Sequence, residues 1–142
     1  MIKAKVFITI VSFACLINLN QEVVKIDSEK INKPIKASLA ISGKERAKGL
    51  SGQKTLKNNE GLLFVYEDLE HPSIWMKDMN FAIDIIWLSE SKKIIDYKKN
   101  VSPSTYPESF KPKKPAKYVL EVNAGFIEKN ELKIDDKLNF EL

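Results

Sequence analysis

Ser73-Ile74-Trp75-Met76-Lys77-Asp78-Met79-Asn80-Phe81-Ala82-Ile83-Asp84-Ile85-Ile86-Trp87 decides the fold of this 142-residue chain. The stretch holds both tryptophans and two of the three methionines, so it belongs at the centre of the core. Strand side chains alternate between the faces of a sheet. The odd positions Trp75, Met79, Phe81, Ile83, Ile85 and Trp87 are apolar and, Lys77 apart, read as a core face. The even positions mix Met76, Ala82 and Ile86 with Asp78, Asn80 and Asp84. Asp78 and Asn80 are turn formers. They divide the segment into two strands, Ser73 to Lys77 and Phe81 to Leu88. A turn at 78–80 also breaks the parity that would otherwise set Asp78 and Asp84 on one face.

Upstream, Lys36 to Ser42 alternates Ala37, Leu39 and Ile41 with polar or small residues, as a half-buried strand does. Ser42 and Glu45 have capping-box spacing and open a short helix from Gly43 to about Leu50, with Gly49 and Gly52 at its end. Lys54 to Glu60 reads as a polar loop, Gly61 to Tyr66 as a buried strand and Glu67 to Pro72 as a turn. Downstream, Ser89 to Lys92 links to a strand at Lys93 to Tyr97. Residues 100–116 carry Pro103, Pro107, Pro112 and Pro115 with Lys111, Lys113 and Lys114. Such a segment suits neither a helix nor a central strand, and a loop of this length is functional or disordered. Lys117 to Asn123 is again a strand, Gly125 to Leu132 a short helix, and Leu138 to Leu142 a last strand. The expectation is a mainly β, single compact sandwich or barrel-like domain with one or two short helices.

The first twenty residues have a different character. A basic start with Lys3 and Lys5 precedes a run from Val6 to Ile17 interrupted only by Thr9 and Ser12, and Asn18, Asn20 and Gln21 end it. That is the layout of a signal peptide, and it is shorter than the roughly 20 apolar residues of a membrane span. Residues 1–20 are therefore expected to be a signal peptide or N-terminal anchor, 21–35 a tether or edge strand, and 36–142 the β domain. Ala14-Cys15 resembles the end of a lipoprotein signal and makes Cys15 a lipidation candidate, although Ser12 stands where such signals usually carry Leu. The reading places the protein outside the cytoplasm, periplasmic or held to the envelope, with membrane contact only through this segment. Cys15 is the single cysteine, so the exported part would have no disulfide.

Net charge is +4, and it falls to +2 once residues 1–20, with two lysines and no acids, are set aside. The pI of about 9.0 thus overstates the basicity of the domain, and nucleic-acid binding is not expected. Clustered His or Cys for zinc is missing from the sequence, as are EF-hand spacing, a nucleophile–His–acid set and a Gly-rich phosphate loop. No metal or cofactor is expected. Glu121 lies in an otherwise apolar strand, where a carboxyl group is pushed up unless a cation or donor pairs with it. Arg46 and Lys77 are its candidate partners.

Arg46-Ala47-Lys48-Gly49-Leu50, Glu60-Gly61-Leu62-Leu63-Phe64-Val65-Tyr66, Ile74-Trp75-Met76-Lys77-Asp78-Met79, Ile83-Asp84-Ile85-Ile86 and Tyr118-Val119-Leu120-Glu121-Val122-Asn123-Ala124-Gly125 resemble, in that order, the DUF192 family of small, often exported prokaryotic proteins of unknown function. The likeness covers about residues 36–142. It implies a compact β-sandwich or barrel-like domain and supplies no activity, cofactor or catalytic residue. Many members read Trp-Met-Lys-Asn-Thr where this chain has Trp75 to Met79, and carry Met and Arg where it has Ser51 and Gln53.

Each candidate residue has a bland reading beside the functional one. Trp75, Met76 and Trp87 read first as core, with a ligand platform as the alternative. Asp84 reads as a structural acceptor or as an acid–base group, and Glu121 as a buried ion pair or a pocket carboxylate. The leading expectation is a non-enzymatic envelope domain binding a small molecule or an envelope protein, with Trp75, Lys77, Asp78, Asp84, Glu121, Asn123 and Arg46 as candidate contacts. The first alternative is a hydrolase or lyase using a carboxylate pair, Asp84 with Glu121 or Asp78. The second is a structural or interaction module that uses loop 100–116.

Overall fold

The hexapeptide Ile83–Leu88 forms a strand whose six side chains are all buried. A computed structural model of the chain describes residues 21–142 and shows why. This strand, β5, pairs antiparallel on one side with β6 (Ile94–Val101) and on the other with β8 (Ala116–Asn123). A strand covered on both faces is apolar on both, so the expected contrast between an odd core face and a mixed even face does not hold over 83–88. The expectations for residues 1–20, Cys15 included, lie outside the described residues.

The main sheet has six strands in the order β1-β2-β3-β8-β5-β6, with β1 at Val23–Ile26, β2 at Ile35–Ala40 and β3 at Glu60–Glu70. Only β2 and β3 are parallel neighbours. Parallel neighbours need a crossover, and the chain supplies it with helix α1 (Gly43–Lys48) and the loop after it. The capping box predicted from Ser42 and Glu45 is present: Glu45 N donates to Ser42 Oγ at 3.2 Å, and Ser42 N donates to the Glu45 carboxylate at 2.8 Å. The helix stops at Lys48, short of Leu50, because Gly49 turns the backbone to φ 51°.

One face of the sheet buries Ile35, Leu63, Ile86, Leu120 and Val122 against Ile127 of helix α2 (Phe126–Lys129) and against Leu132, Leu138 and Phe140. The predicted last strand is replaced by two isolated bridges, Asp27 to Asn139 and Lys93 to Lys137. These join the C-terminal segment to the end of β1 and to the start of β6. The two edges of the sheet are thereby linked, which gives the mainly β domain its barrel-like closure.

The other face buries Leu62, Phe64, Ile83, Ile85, Trp87 and Val119 beneath Ile74, Met76 and Phe110. Its cover is a ribbon of β4 (Ile74–Trp75) and β7 (Ser109–Phe110). Loop 100–116 is therefore not featureless: it makes a 3-10 turn at Pro103–Thr105 and then β7. Proline tolerates an edge position, and the two residues of β7 fall between Pro107 and Pro112. The turn expected at Glu67 to Pro72 begins later, since β3 continues to Glu70 through a register shift after Val65. The Trp87 indole donates to the Pro72 carbonyl at 3.2 Å, so its one polar atom is satisfied in the core.

Candidate functional site

Register decides which charges can meet. In the β5–β8 pair, Ile85 stands opposite Glu121 and Asp84 opposite Val122. Residues directly opposite share a face, and successive residues do not. Asp84 and Glu121 therefore point to opposite sides of the sheet. Asp84 is fully buried among the barrel-side residues, where its carboxylate accepts from Asn100 N and Ile127 N, both at 2.8 Å. It is a structural acceptor that ties β5 to the end of β6 and to α2. The expected carboxylate pair of Asp84 and Glu121 does not form.

Glu121 lies on the ribbon side, with Leu62 on one neighbouring strand and Ile85 on the other. It is 4% exposed. No donor or cation among the described residues offsets its burial, which pushes the carboxyl group up to about 8. Neither Arg46 nor Lys77 forms the ion pair expected of it. Directly behind, Gly61 makes room for the strand: a Cβ there would lie 2.8 Å from the Glu121 carbonyl oxygen.

Glu121 opens into a cleft whose other walls include Arg46, Lys48, Leu50, Phe64, Trp75 and Met79. The cavity is about 30 Å³, room for a water or a group of that size. Helix α1 supplies the basic wall. Arg46 is held there through Nη1, which donates to the carbonyls of Ile41 and Val65, and through the Tyr66 ring 4.7 Å below its guanidinium. Burial pushes the Tyr66 hydroxyl up to about 12, with Arg46 opposing that shift.

Trp75 is half exposed at the mouth, edge-on to Tyr106 at 6.2 Å. The core reading of Trp75 is corrected: Ile74 and Met76 point inward, and Trp75 between them points out. Trp87 and Met76 are core as expected. Lys77, Asp78 and Asn80 are exposed in the turn that follows, with Asp78 at φ 55°. This turn is clamped to residues 51–53: Ser51 Oγ donates to Lys77 O at 2.7 Å, Gly52 N to Asp78 O at 2.8 Å, and Asn80 Nδ2 to Gln53 O at 2.8 Å. Asn123 donates its side-chain amide to Leu56 O and pins the same crossover loop to β8.

The structure thus gathers Arg46, Trp75 and Glu121 at one cleft. It leaves Lys77, Asp78 and Asn123 in the clamps around that cleft and sets Asp84 on the far side. Lys48, Phe64 and Met79 were missed as wall residues. Phe64 is two residues along β3 from Leu62 and so shares the face of Glu121, but that follows from the β3–β8 register and carried no cue in the sequence. Among the described residues no three His, Cys, Asp or Glu side chains converge as metal ligands, and no helix is long and apolar enough to cross a membrane.

The model of the DUF192 family, described as an uncharacterised ACR, matches residues 23–140. A UPF0127 protein of Thermococcus kodakarensis is 33% identical over 107 residues, which are 74% of this chain and 64% of that protein. A candidate transcription regulator of Sinorhizobium meliloti has a similar structure, with a TM-score of 0.76 at 22% identity, over 83% of this chain and 92% of that one. A protein of unknown function from Novosphingobium aromaticivorans gives a TM-score of 0.74 at 25% identity, over 82% and 83% of the two chains. The Sinorhizobium likeness is one of fold alone.

Proposed function

This chain belongs to the DUF192 family, and from a cleft that holds a largely buried carboxyl group with no protein partner we propose that it is a non-enzymatic, exported binding domain. The observation that carries the reading is Glu121: a carboxyl group buried without a protein partner, yet open to a cleft beside an exposed tryptophan. Leaving a buried polar group unpaired costs about 1–3 kcal/mol, and Met or Leu at this position would avoid most of that. A ligand or partner group that enters the cleft would satisfy it. Export rests on the layout of residues 1–20, and the envelope is where the ligand or partner would be met.

Catalysis by paired carboxylates has no support in the geometry, since Asp84 faces away and Asp78 is in an exposed turn outside the cleft. Loop 100–116 contributes to the mouth through Tyr106, and Phe110 anchors it to the core. Exchanging the whole loop would therefore disturb the fold, and Tyr106→Ala is the cleaner probe of a contact role.

A thermal-shift screen of the purified protein against envelope metabolites and oligosaccharides tests the proposal. The expected result is a stabilising compound whose effect disappears in Glu121→Ala and weakens at least several-fold in Trp75→Ala. A stabilising compound that is indifferent to both substitutions would place binding elsewhere and overturn the assignment of the cleft.

A further inference from the structure

Resting on the cleft reading above, we propose that the group received over Glu121 is a carboxylate, bound with Glu121 as a protonated hydrogen-bond donor. The floor of the cleft offers one carboxyl group and no protein donor that competes for it. Its fixed charges are both positive: Arg46 and Lys48, from one helix, line the same cleft. Arg46 spends Nη1 on two backbone carbonyls, and neither its Nε nor its Nη2 is engaged in those bonds. A site with a neutral acid at the floor and two cations on the wall favours an anion with acceptor oxygens.

Size narrows the class. About 30 Å³ admits one oxygen-sized group. A sugar ring would not fit, and the body of the ligand must lie outside, over Trp75. A cation would have to remove the proton from Glu121 and pass two like charges.

The two ligand classes have opposite pH dependence. The ionisable groups facing Glu121 are Arg46 and Lys48 from α1 and Tyr66 from β3. Burial pushes the Tyr66 hydroxyl up to about 12. Glu121, at about 8, changes charge between pH 6 and 9. A carboxylate needs the protonated form, so its affinity should fall about tenfold for each pH unit above 8. An ammonium ion needs the ionised form, and its affinity should rise with pH.

Titration of the purified protein with butyrate and with butylammonium at pH 6, 7.5 and 9, followed through the 13C resonance of the Glu121 carboxyl group, decides between them. The expected result is butyrate binding that is about tenfold weaker at pH 9 than at pH 7.5. Glu121→Gln, whose amide also donates, should bind butyrate equally at all three pH values. Lys48→Gln should weaken binding several-fold without changing the pH profile. Binding of butylammonium that strengthens with pH would overturn the carboxylate assignment and leave the cleft as the binding site. Butyrate binding unchanged across the three pH values would also overturn it. If neither probe moves the resonance while a compound from the stability screen does, the carboxylate inference fails alone. If nothing moves it, the cleft reading fails with it.

Discussion

Glu121 carries the sharpest consequence at the scale of one residue. A carboxyl group at about 8 in the folded chain, against an ordinary 4.5, binds its proton more tightly folded than unfolded. Between those values the native state holds a proton that the unfolded state has lost, so stability falls as pH rises. This stabilisation is complete below about 4.5 and gone above about 8. Over the window it amounts to roughly 3–5 kcal/mol. Glu45 and Asp136 are held below the usual carboxylate range, Glu45 by backbone hydrogen bonds in the capping box and Asp136 by the Lys30 ammonium and Lys133 N against the opposing effect of burial. They lose their contribution only as pH falls under about 4.5, outside this window. Glu121→Gln should therefore flatten the decline between pH 5.5 and 8.5. Urea denaturation at both pH values is the measurement, with the variant near wild type at 5.5 and a few kcal/mol more stable at 8.5. An equal decline in both proteins would show that Glu121 has a partner in solution. That Glu121 is buried was legible, because Val119 on its own face and Leu120 and Val122 on the other are all apolar, as in a strand covered on both sides. That Arg46 fails to pair with it was not legible, because the helix that carries Arg46 directs Nη1 to Ile41 O and Val65 O instead.

At the scale of elements, Asp84 is the joint between three of them. Its two oxygens hold the backbone of Asn100, a non-glycine residue at φ 52°, and the first turn of α2. Hydrogen bonds to a buried charge are worth about 1.5–3 kcal/mol each, and orphaned donors add to the loss. Asp84→Ala should cost roughly 3 kcal/mol or more in global stability. Hydrogen exchange should show Asn100 and Ile127 losing protection before the rest of the sheet, and protection equal to wild type at both amides would refute the joint. The strands were largely readable from their apolar runs, and α1 from its capping box. The face of each charge was not readable. It depends on Ile85 standing opposite Glu121, and a shift of one residue would exchange the faces of the two carboxylates. Trp75 was misplaced for a related reason. The turn at Asp78 resets the alternation, so parity counted back from β5 does not carry into β4.

The whole molecule depends on how its sheet ends. A six-stranded sheet leaves β1 and β6 as edges with unpaired backbone groups, which invite pairing with another chain. Residues 135–139 reach both edges. Asp27 and Asn139 exchange N–H to carbonyl bonds at 3.0 and 2.7 Å, Ile94 N donates to Asp136 O at 2.9 Å, and Leu138 N donates to Lys92 O at 3.0 Å. Leu138 within it and Phe140 just after it are buried, with Phe140 edge-on to Tyr118 at 5.2 Å. The C-terminal segment therefore has two separable duties, closing edges and filling the core. Phe140→Ala removes only the second, and should cost about 3–5 kcal/mol while leaving the solution mass of the protein unchanged. Deletion of 133–142 removes both, and should add self-association to the loss of stability, because two bare edges become available at once. Light scattering coupled to size exclusion, with thermal denaturation of the same samples, separates the duties. If the deletion variant keeps the solution mass of the intact chain, edge closure is not what these residues contribute, and their role reduces to the burial of Leu138 and Phe140.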